Sequence, residues 1–505
     1  MRVDVAAGQV PKRSPPAVAI PADLSRVMGI AFSDQQLAAI TAPMEPGLVV
    51  AGAGTGKTTV MAARVVWLVA TGQVAADRVL GLTFTTKAAA ELSRRVRAFL
   101  ARAGLVGVPG SVVSDDEEAA EPTVLTYHAY AARLLAEHGL RVGFEPDTRV
   151  ISDASRFQLA ASAARRFEGA VDHLTTWLPT TVTGLLALDA ELSEHLVEPA
   201  DVRAFQRHEA ALWAAGRQTT AVRKVLAACD QRTELLALVE LYRRIKAERG
   251  VMDFSDQMAG AARLAEARSE VGTLERERFT LVLLDEYQDT SVAQARLLRA
   301  LYSDGVDPGG RGHPVTAVGD PCQAIYGWRG ASVGNIERFP AHFRQADGPV
   351  GPEAEAVRYP LSVNRRSCRR ILQTANVVAA PLHADFPGAE PLVPGTGVAE
   401  GEVRLAVLET YQDELDFLAA EVRRAGAERA VSWSEIAVLA RDNASIADIH
   451  DRLVASGVPV EVVGLSGLLH MPEVIEVVST LQVLSDVTAN PALLTLLAGP
   501  RWAIG

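Results

Sequence analysis

Short apolar runs recur along the chain, each ending in polar or glycine-rich residues and followed by a stretch with helical spacing. They are Leu48–Ala51, Val79–Thr83, Val124–Thr126, Leu281–Leu284, Val315–Val318, Val403–Leu408 and Ile436–Ala440. Buried runs that alternate with amphipathic segments predict an α/β fold, with parallel sheets covered by helices. In such folds the chemistry gathers at the carboxyl ends of the strands.

Between Ala131 and Arg278 the pattern changes. This stretch is rich in Ala, Leu and Arg at helical spacing, as in Arg156–Phe167 and Leu235–Ala247, and predicts a mostly helical insertion. Loops are expected at Gly104–Pro122, Asp304–Pro314 and Ala384–Glu400. The acidic run Asp115–Glu118 reads as part of a solvated loop.

A chain of 505 residues is long enough for three or four domains, and 49% hydrophobic against 22% charged residues is the balance of a globular protein. No apolar run reaches the roughly 18 residues of a membrane span. Met1–Ala22 has no hydrophobic centre of a secretory signal, so a tail and a cytoplasmic location are expected. Cys229, Cys322 and Cys368 are far apart and show no metal-binding spacing. The net charge of −11 does not exclude nucleic acid, because binding depends on where the basic residues sit. Lysine occurs at only five positions, the other basic residues being arginine, and two of the five, Lys57 and Lys87, fall within motifs.

The first motif is Ala51-Gly52-Ala53-Gly54-Thr55-Gly56-Lys57-Thr58, directly after an apolar run. It is a phosphate-binding loop with Ala in place of the first Gly. Small residues let backbone N–H groups turn toward phosphate oxygens, and the following helix offers its positive end. Lys57 is placed to neutralise the terminal phosphates of ATP, and the Thr58 hydroxyl to hold Mg²⁺. The second motif follows Leu281–Leu284 as Asp285-Glu286-Tyr287-Gln288-Asp289-Thr290. Asp285 is expected to bind Mg²⁺ and Glu286 to orient and deprotonate the attacking water.

The string from Asp285 to Thr290 resembles the signature of UvrD/Rep helicases of superfamily 1. Further segments resemble that family in its order: Phe32–Gln36, Leu82–Ala89, Thr126–His128, Val318–Ala331 and Leu361–Ser367. Asp253-Phe254-Ser255-Asp256 resembles a minor family motif. The resemblance implies RecA-like motor domains. The expected division is a flexible tail over 1–24, a first motor domain from 25–137 and 276–347, and a helical insertion at 138–275. An incomplete second motor domain would occupy 348–470, and the start of a second insertion domain 471–505.

The resemblance also assigns roles. Gln36 would read the adenine edge, and Thr59 and Arg365 would border the nucleotide. Gln323 would report nucleotide state to the strand, and Arg366 would act as an arginine finger. Phe84, Thr85, Lys87, Thr126, Tyr127, His128, Tyr326, Trp328 and Arg329 would contact DNA, with Phe84, Tyr326 and Trp328 as stacking surfaces. The sequence departs from the family at Arg365, where an aromatic residue is usual, at Thr59, where Arg is frequent, and at Thr86, usually Asn. Val462–Gly464 and Leu468–Val474 are more similar to helicase–nuclease relatives. Pro500–Gly505 resembles an internal segment, so the family's remaining motifs are expected outside this sequence.

The implied activity is ATP-dependent 3′–5′ translocation on single-stranded DNA and unwinding at junctions in repair or recombination. A partner subunit of a helicase–nuclease is a further expectation. The rival reading is a non-catalytic ATP- and DNA-binding subunit or an inactive part of such a complex.

Overall fold

A computed structural model describes residues 18, 20–105, 121–145, 147–169, 171–217, 219–303, 312–327, 330–345, 354–428, 431–463, 472–486 and 488–499. Most of the loops expected at 104–122 and 304–314 lie outside these residues, as do most of 464–474 and the closing segment 500–505.

The central element is a parallel sheet of six strands: β1 (Gly47–Ala51), β2 (Val79–Thr83), β3 (Thr123–Thr126), β6 (Leu281–Leu284), β7 (Val315–Gly319) and β8 (Val357–Leu361). Their spatial order is β3-β2-β6-β7-β1-β8. β4 (Arg149–Val150) and β5 (Val251–Met252) form a small separate parallel pair at the root of the helical insertion.

The strand alternation divides the core between the two faces of the sheet. Leu48, Val50, Leu80, Leu82, Val282 and Leu284 belong to one cluster, with α5 (Tyr127–His138), α10 (Phe254–Ala267) and α12 (Val292–Tyr302). Val49, Ala51, Val79, Leu281 and Leu283 belong to the other, with α1 (Pro21–Met28), α3 (Lys57–Ala70) and α4 (Thr86–Arg102). A sheet covered on both faces explains why its strands read as continuous apolar runs.

A third core joins α6 (Asp153–Arg166), α7 (Leu178–Glu194), α8 (Pro199–Ala215) and α9 (Thr220–Glu248), using Leu159, Val182, Leu185, Leu236, Val239 and Tyr242. The insertion is therefore shorter than the expected 138–275. α10 packs its Met258, Ala261, Ala262 and Leu264 into the sheet's own core.

Three further expectations are corrected. The expected tail of 1–24 is shorter in the structure: α1 begins at Pro21, and Val18 and Leu24 are buried. A proline in the first turn and an apolar i, i+4 pair suit this short helix. β8, expected within the second motor domain, pairs with β1 at the edge of the first sheet. The runs at 403–408 and 436–440 are not strands. Residues from Val403 onward form a separate unit, with a small core of Ala419, Val422, Leu453 and Val458 between α15 (Tyr411–Glu428) and α16 (Ile446–Ala455). Leu405, Val407 and Leu439 there are more than 90% exposed. An apolar run becomes a strand only where a neighbour completes its backbone ladder, and none does so among the described residues of this unit.

No helix among the described residues is long and apolar enough to cross a membrane.

One buried group links the fold to pH. His313 stacks on Tyr302 with ring centroids 5.2 Å apart, and its Nε2 has no partner among the described residues. Burial, and then Arg276, push its pKa down to about 4. The unfolded chain therefore binds the extra proton first as pH falls below roughly 6.5. Stability is lost between that pH and about 4. His313→Phe should have a shallower fall in melting temperature across this window. Parallel curves for the two proteins would refute the assignment.

Candidate functional site

The phosphate loop runs from the end of β1 to the start of α3. Gly54 and Gly56 hold φ of +70° and +88°, conformations that a residue with a Cβ adopts only with strain. Thr55 is buried, and its hydroxyl donates to the Gly52 carbonyl at 2.8 Å. Gly56 caps α3, so the first N–H groups of that helix open onto the loop. Ala53 and Thr58 are part-buried along it. The Thr59 hydroxyl accepts from Arg95 at 3.1 Å, a bond within the protein.

Asp285 and Glu286 leave the end of β6 beside this loop. Lys57 Nζ lies 3.8 Å from a Glu286 carboxylate oxygen. Glu286 sits at φ 49°, one of two described non-glycine residues with positive φ. Such an outlier stores strain that the surrounding structure must hold. Asp285 is buried, with the Thr83 hydroxyl 3.5 Å from its carboxylate. Burial, and then the neighbouring Glu286, push its pKa up to about 7, against the opposing pull of Lys57.

From Glu286 a chain of hydrogen bonds leads to the next strand end. Gln288 Nε2 donates to Glu286 at 2.9 Å, and Gln288 Oε1 accepts from the Asp320 N–H at 3.0 Å. Gln323 Nε2 donates to the Asp320 carboxylate at 2.5 Å. Gly319 is needed here, because a Cβ would lie 2.6 Å from Gln288 Oε1. Beyond Gln323 the loop carries Tyr326, which is part-buried.

The segment after β8 lies across the same loop. Arg365 donates its N–H to the Gly54 carbonyl at 3.0 Å. A Cβ built on Gly54 would be 2.8 Å from the Arg366 Cβ. The side chains of Arg365 and Arg366 are both exposed.

The family described as the UvrD/REP helicase N-terminal domain matches residues 32–344. The UvrD-like helicase C-terminal domain matches residues 359–505. The chain belongs to the UvrD/REP helicase family. It is 29% identical over 479 residues to the ATP-dependent DNA helicase UvrD1 of Mycobacterium tuberculosis, covering 94% of this chain and 55% of that protein. It is 26% identical over 485 residues to DNA helicase II of Escherichia coli, covering 94% and 57%. It is 25% identical over 483 residues to the ATP-dependent DNA helicase PcrA of Staphylococcus aureus, covering 94% and 56%. The chain thus spans just over half the length of these relatives.

Two residues assigned from the UvrD/REP resemblance are engaged within the protein. Gln36, expected at the adenine edge, is buried and makes a hydrogen bond at each end of its side chain. Its Nε2 donates to the Thr55 carbonyl at 2.8 Å, and its Oε1 accepts from the Ser33 N–H at 3.0 Å. It braces the phosphate loop from below. The preceding Gln35 binds Ser362, accepting from its N–H at 3.0 Å and donating to its hydroxyl at 3.1 Å. Tyr127, expected to touch DNA, is also buried. Its hydroxyl donates to the Asp285 carbonyl at 3.2 Å, which holds the strand that carries the acidic pair.

The other strand-contact candidates gather near the carboxyl ends of β2, β3 and β7. Phe84 is part-buried, its ring 4.9 Å from that of Tyr127. Thr85 and Thr126 cap α4 and α5, accepting from Ala88 and Ala129 N–H at 3.1 Å each. Lys87 is exposed. Trp328 and Arg329 lie outside the described residues.

His128 meets an aromatic partner, Phe254, that is not among the DNA contacts implied by the resemblance. Phe254 packs edge-on against it at 5.7 Å and is 55% exposed. The signal was present in the minor motif Asp253–Asp256, but only folding brings Phe254 beside a residue more than a hundred positions earlier. Burial lowers the His128 pKa, which favours the neutral ring.

Proposed function

We propose that this chain is the ATP-driven motor part of a DNA helicase. It would couple ATP hydrolysis to 3′–5′ movement along single-stranded DNA and open junctions during repair or recombination in the cytoplasm. The observation that carries the reading is the continuous polar path Lys57–Glu286–Gln288–Asp320–Gln323. It joins the phosphate loop to the loop bearing Tyr326, so a change at the terminal phosphate has a short route to a base-stacking surface.

The residues fit Mg²⁺. Two adjacent carboxylates, one of them buried, face a single lysine, and Thr58 stands at the start of α3. Asp285 and Thr58 would hold the cation, which would draw charge from the phosphate oxygens. Glu286, held by Lys57 and Gln288, would take the proton of the attacking water. Arg366 would neutralise charge from the other side of the loop. Phe84, Phe254 and Tyr326 would stack bases without regard to sequence.

The test is ATP turnover with and without a single-stranded oligonucleotide. Stimulation by the oligonucleotide is expected, and turnover indifferent to DNA would refute the motor reading. Nucleotide and DNA binding without turnover would instead favour the non-catalytic subunit. Phe254→Ala should weaken oligonucleotide binding by about 1–3 kcal/mol, read by fluorescence anisotropy. Wild-type affinity would remove Phe254 from the strand path.

A further inference from the structure

Asn364 is almost completely buried, and both ends of its side chain are used. Its Nδ2 donates to the Ala53 carbonyl, inside the phosphate loop, at 2.6 Å. Its Oδ1 accepts from the N–H groups of Arg366 and Ser367, each at 2.8 Å. One carboxamide therefore grips the loop with its donor and the backbone of the arginine with its acceptor. These two elements are some 311 positions apart in the chain.

The geometry has a chemical consequence. In a trans peptide the C=O and the following N–H point to opposite edges of one plane. The Ala53 carbonyl turned toward Asn364 sends the Gly54 N–H the other way. A phosphate cradle depends on such N–H groups being oriented before the anion arrives. Gly54 makes the close approach possible, since a Cβ there would be 2.5 Å from Asn364 Nδ2. On the acceptor side, two N–H groups on one carboxamide oxygen fix the turn from which the Arg366 side chain departs.

We propose that Asn364 is a positioning residue that sets the phosphate loop and Arg366 in register. Its donor half orients the Ala53–Gly54 peptide for any bound nucleotide. Its acceptor half places Arg366 for the terminal phosphate of a triphosphate. The proposal rests on the reading of residues 51–58 as a nucleotide site, which has its own control.

The two halves separate by mutation. Asn364→Asp keeps the acceptor and loses the donor, whereas Asn364→Ala loses both. Affinities for fluorescent ADP and for a fluorescent non-hydrolysable ATP analogue would be measured on the 505-residue chain, with Lys57→Ala as control and melting temperature as a check on folding. Asn364→Asp should weaken both nucleotides by a similar factor, about tenfold or more. Asn364→Ala should in addition lower the preference for triphosphate over diphosphate to that of Arg366→Ala. The double variant Asn364→Ala/Arg366→Ala should lower that preference no further, the non-additivity of residues acting as a unit. A purely structural role would lower the melting temperature without this coupling. Wild-type affinities in Asn364→Asp, or additive losses in the double variant, would overturn the proposal. If the unsubstituted chain binds neither nucleotide, or binding survives Lys57→Ala, the nucleotide site itself is wrong.

Discussion

Glu286→Gln is expected to leave ATP binding near that of the unsubstituted protein while lowering turnover roughly 10²–10⁴-fold, the usual contribution of a positioned general base. The amide keeps the shape and the Gln288 neighbour but cannot accept the proton of water. Its backbone already occupies φ 49° and ψ 43°, so a side chain of equal size preserves a strained conformation that depends on its surroundings. Lys57→Ala should fail differently. It removes the cation 3.8 Å from Glu286, in a corner where burial and Glu286 already hold Asp285 up to about 7. Both affinity and turnover should collapse. Steady-state hydrolysis together with nucleotide binding distinguishes the two patterns. Full turnover in Glu286→Gln would remove it as the base.

Lys246→Met is expected to destabilise the chain by about 3–5 kcal/mol, the cost of stripping one partner from a buried ion cluster. Lys246 is 3% exposed. Its Nζ lies 2.8 Å from Asp189 on α7, 3.3 Å from Asp253 and 2.6 Å from Asp256 on α10. Burial alone would lower its pKa, but the three carboxylates outweigh burial and raise it. Arg243 and Arg156 pair with Asp189 and Asp253, at 2.6 and 3.2 Å, and cannot replace the lost charge at Asp256. Methionine matches the length of lysine, so the loss measures charge more than packing. Chemical denaturation gives the magnitude, and an unchanged midpoint would refute a stabilising role for Lys246. The cluster joins the helical insertion to the N-cap of α10, where Asp253 accepts from Ser255 and Asp256 N–H. Phe254 begins that helix, so the same variant should also weaken oligonucleotide binding.

Much of the candidate site is legible in order along the chain. The phosphate loop is local, because its shape depends on glycines at 54 and 56 and on the strand and helix that flank it. Asp285-Glu286 is legible for the same reason, as polar residues that end an apolar run. Tyr127 and Gln36 read as ligand contacts because each stands beside the motif residues and has the chemistry to bind a ligand. In the folded chain their side chains bond Asp285, 158 positions from Tyr127, and Thr55, 19 positions from Gln36.

The sequence alone determined five of the six strands of the sheet, their order along the chain and the residues at their ends, since hydrophobic periodicity and backbone conformational preference act over a few neighbouring positions. Tertiary structure decided the partners. It set Val357–Leu361 beside β1, left 403–408 and 436–440 outside any strand among the described residues, brought Phe254 to His128 and hung Asn364 on Ala53. An apolar pattern states that a face must be covered, and a polar side chain states that a bond must be made. Neither states with what, because that depends on distances between segments that are remote in sequence and meet only in the folded chain.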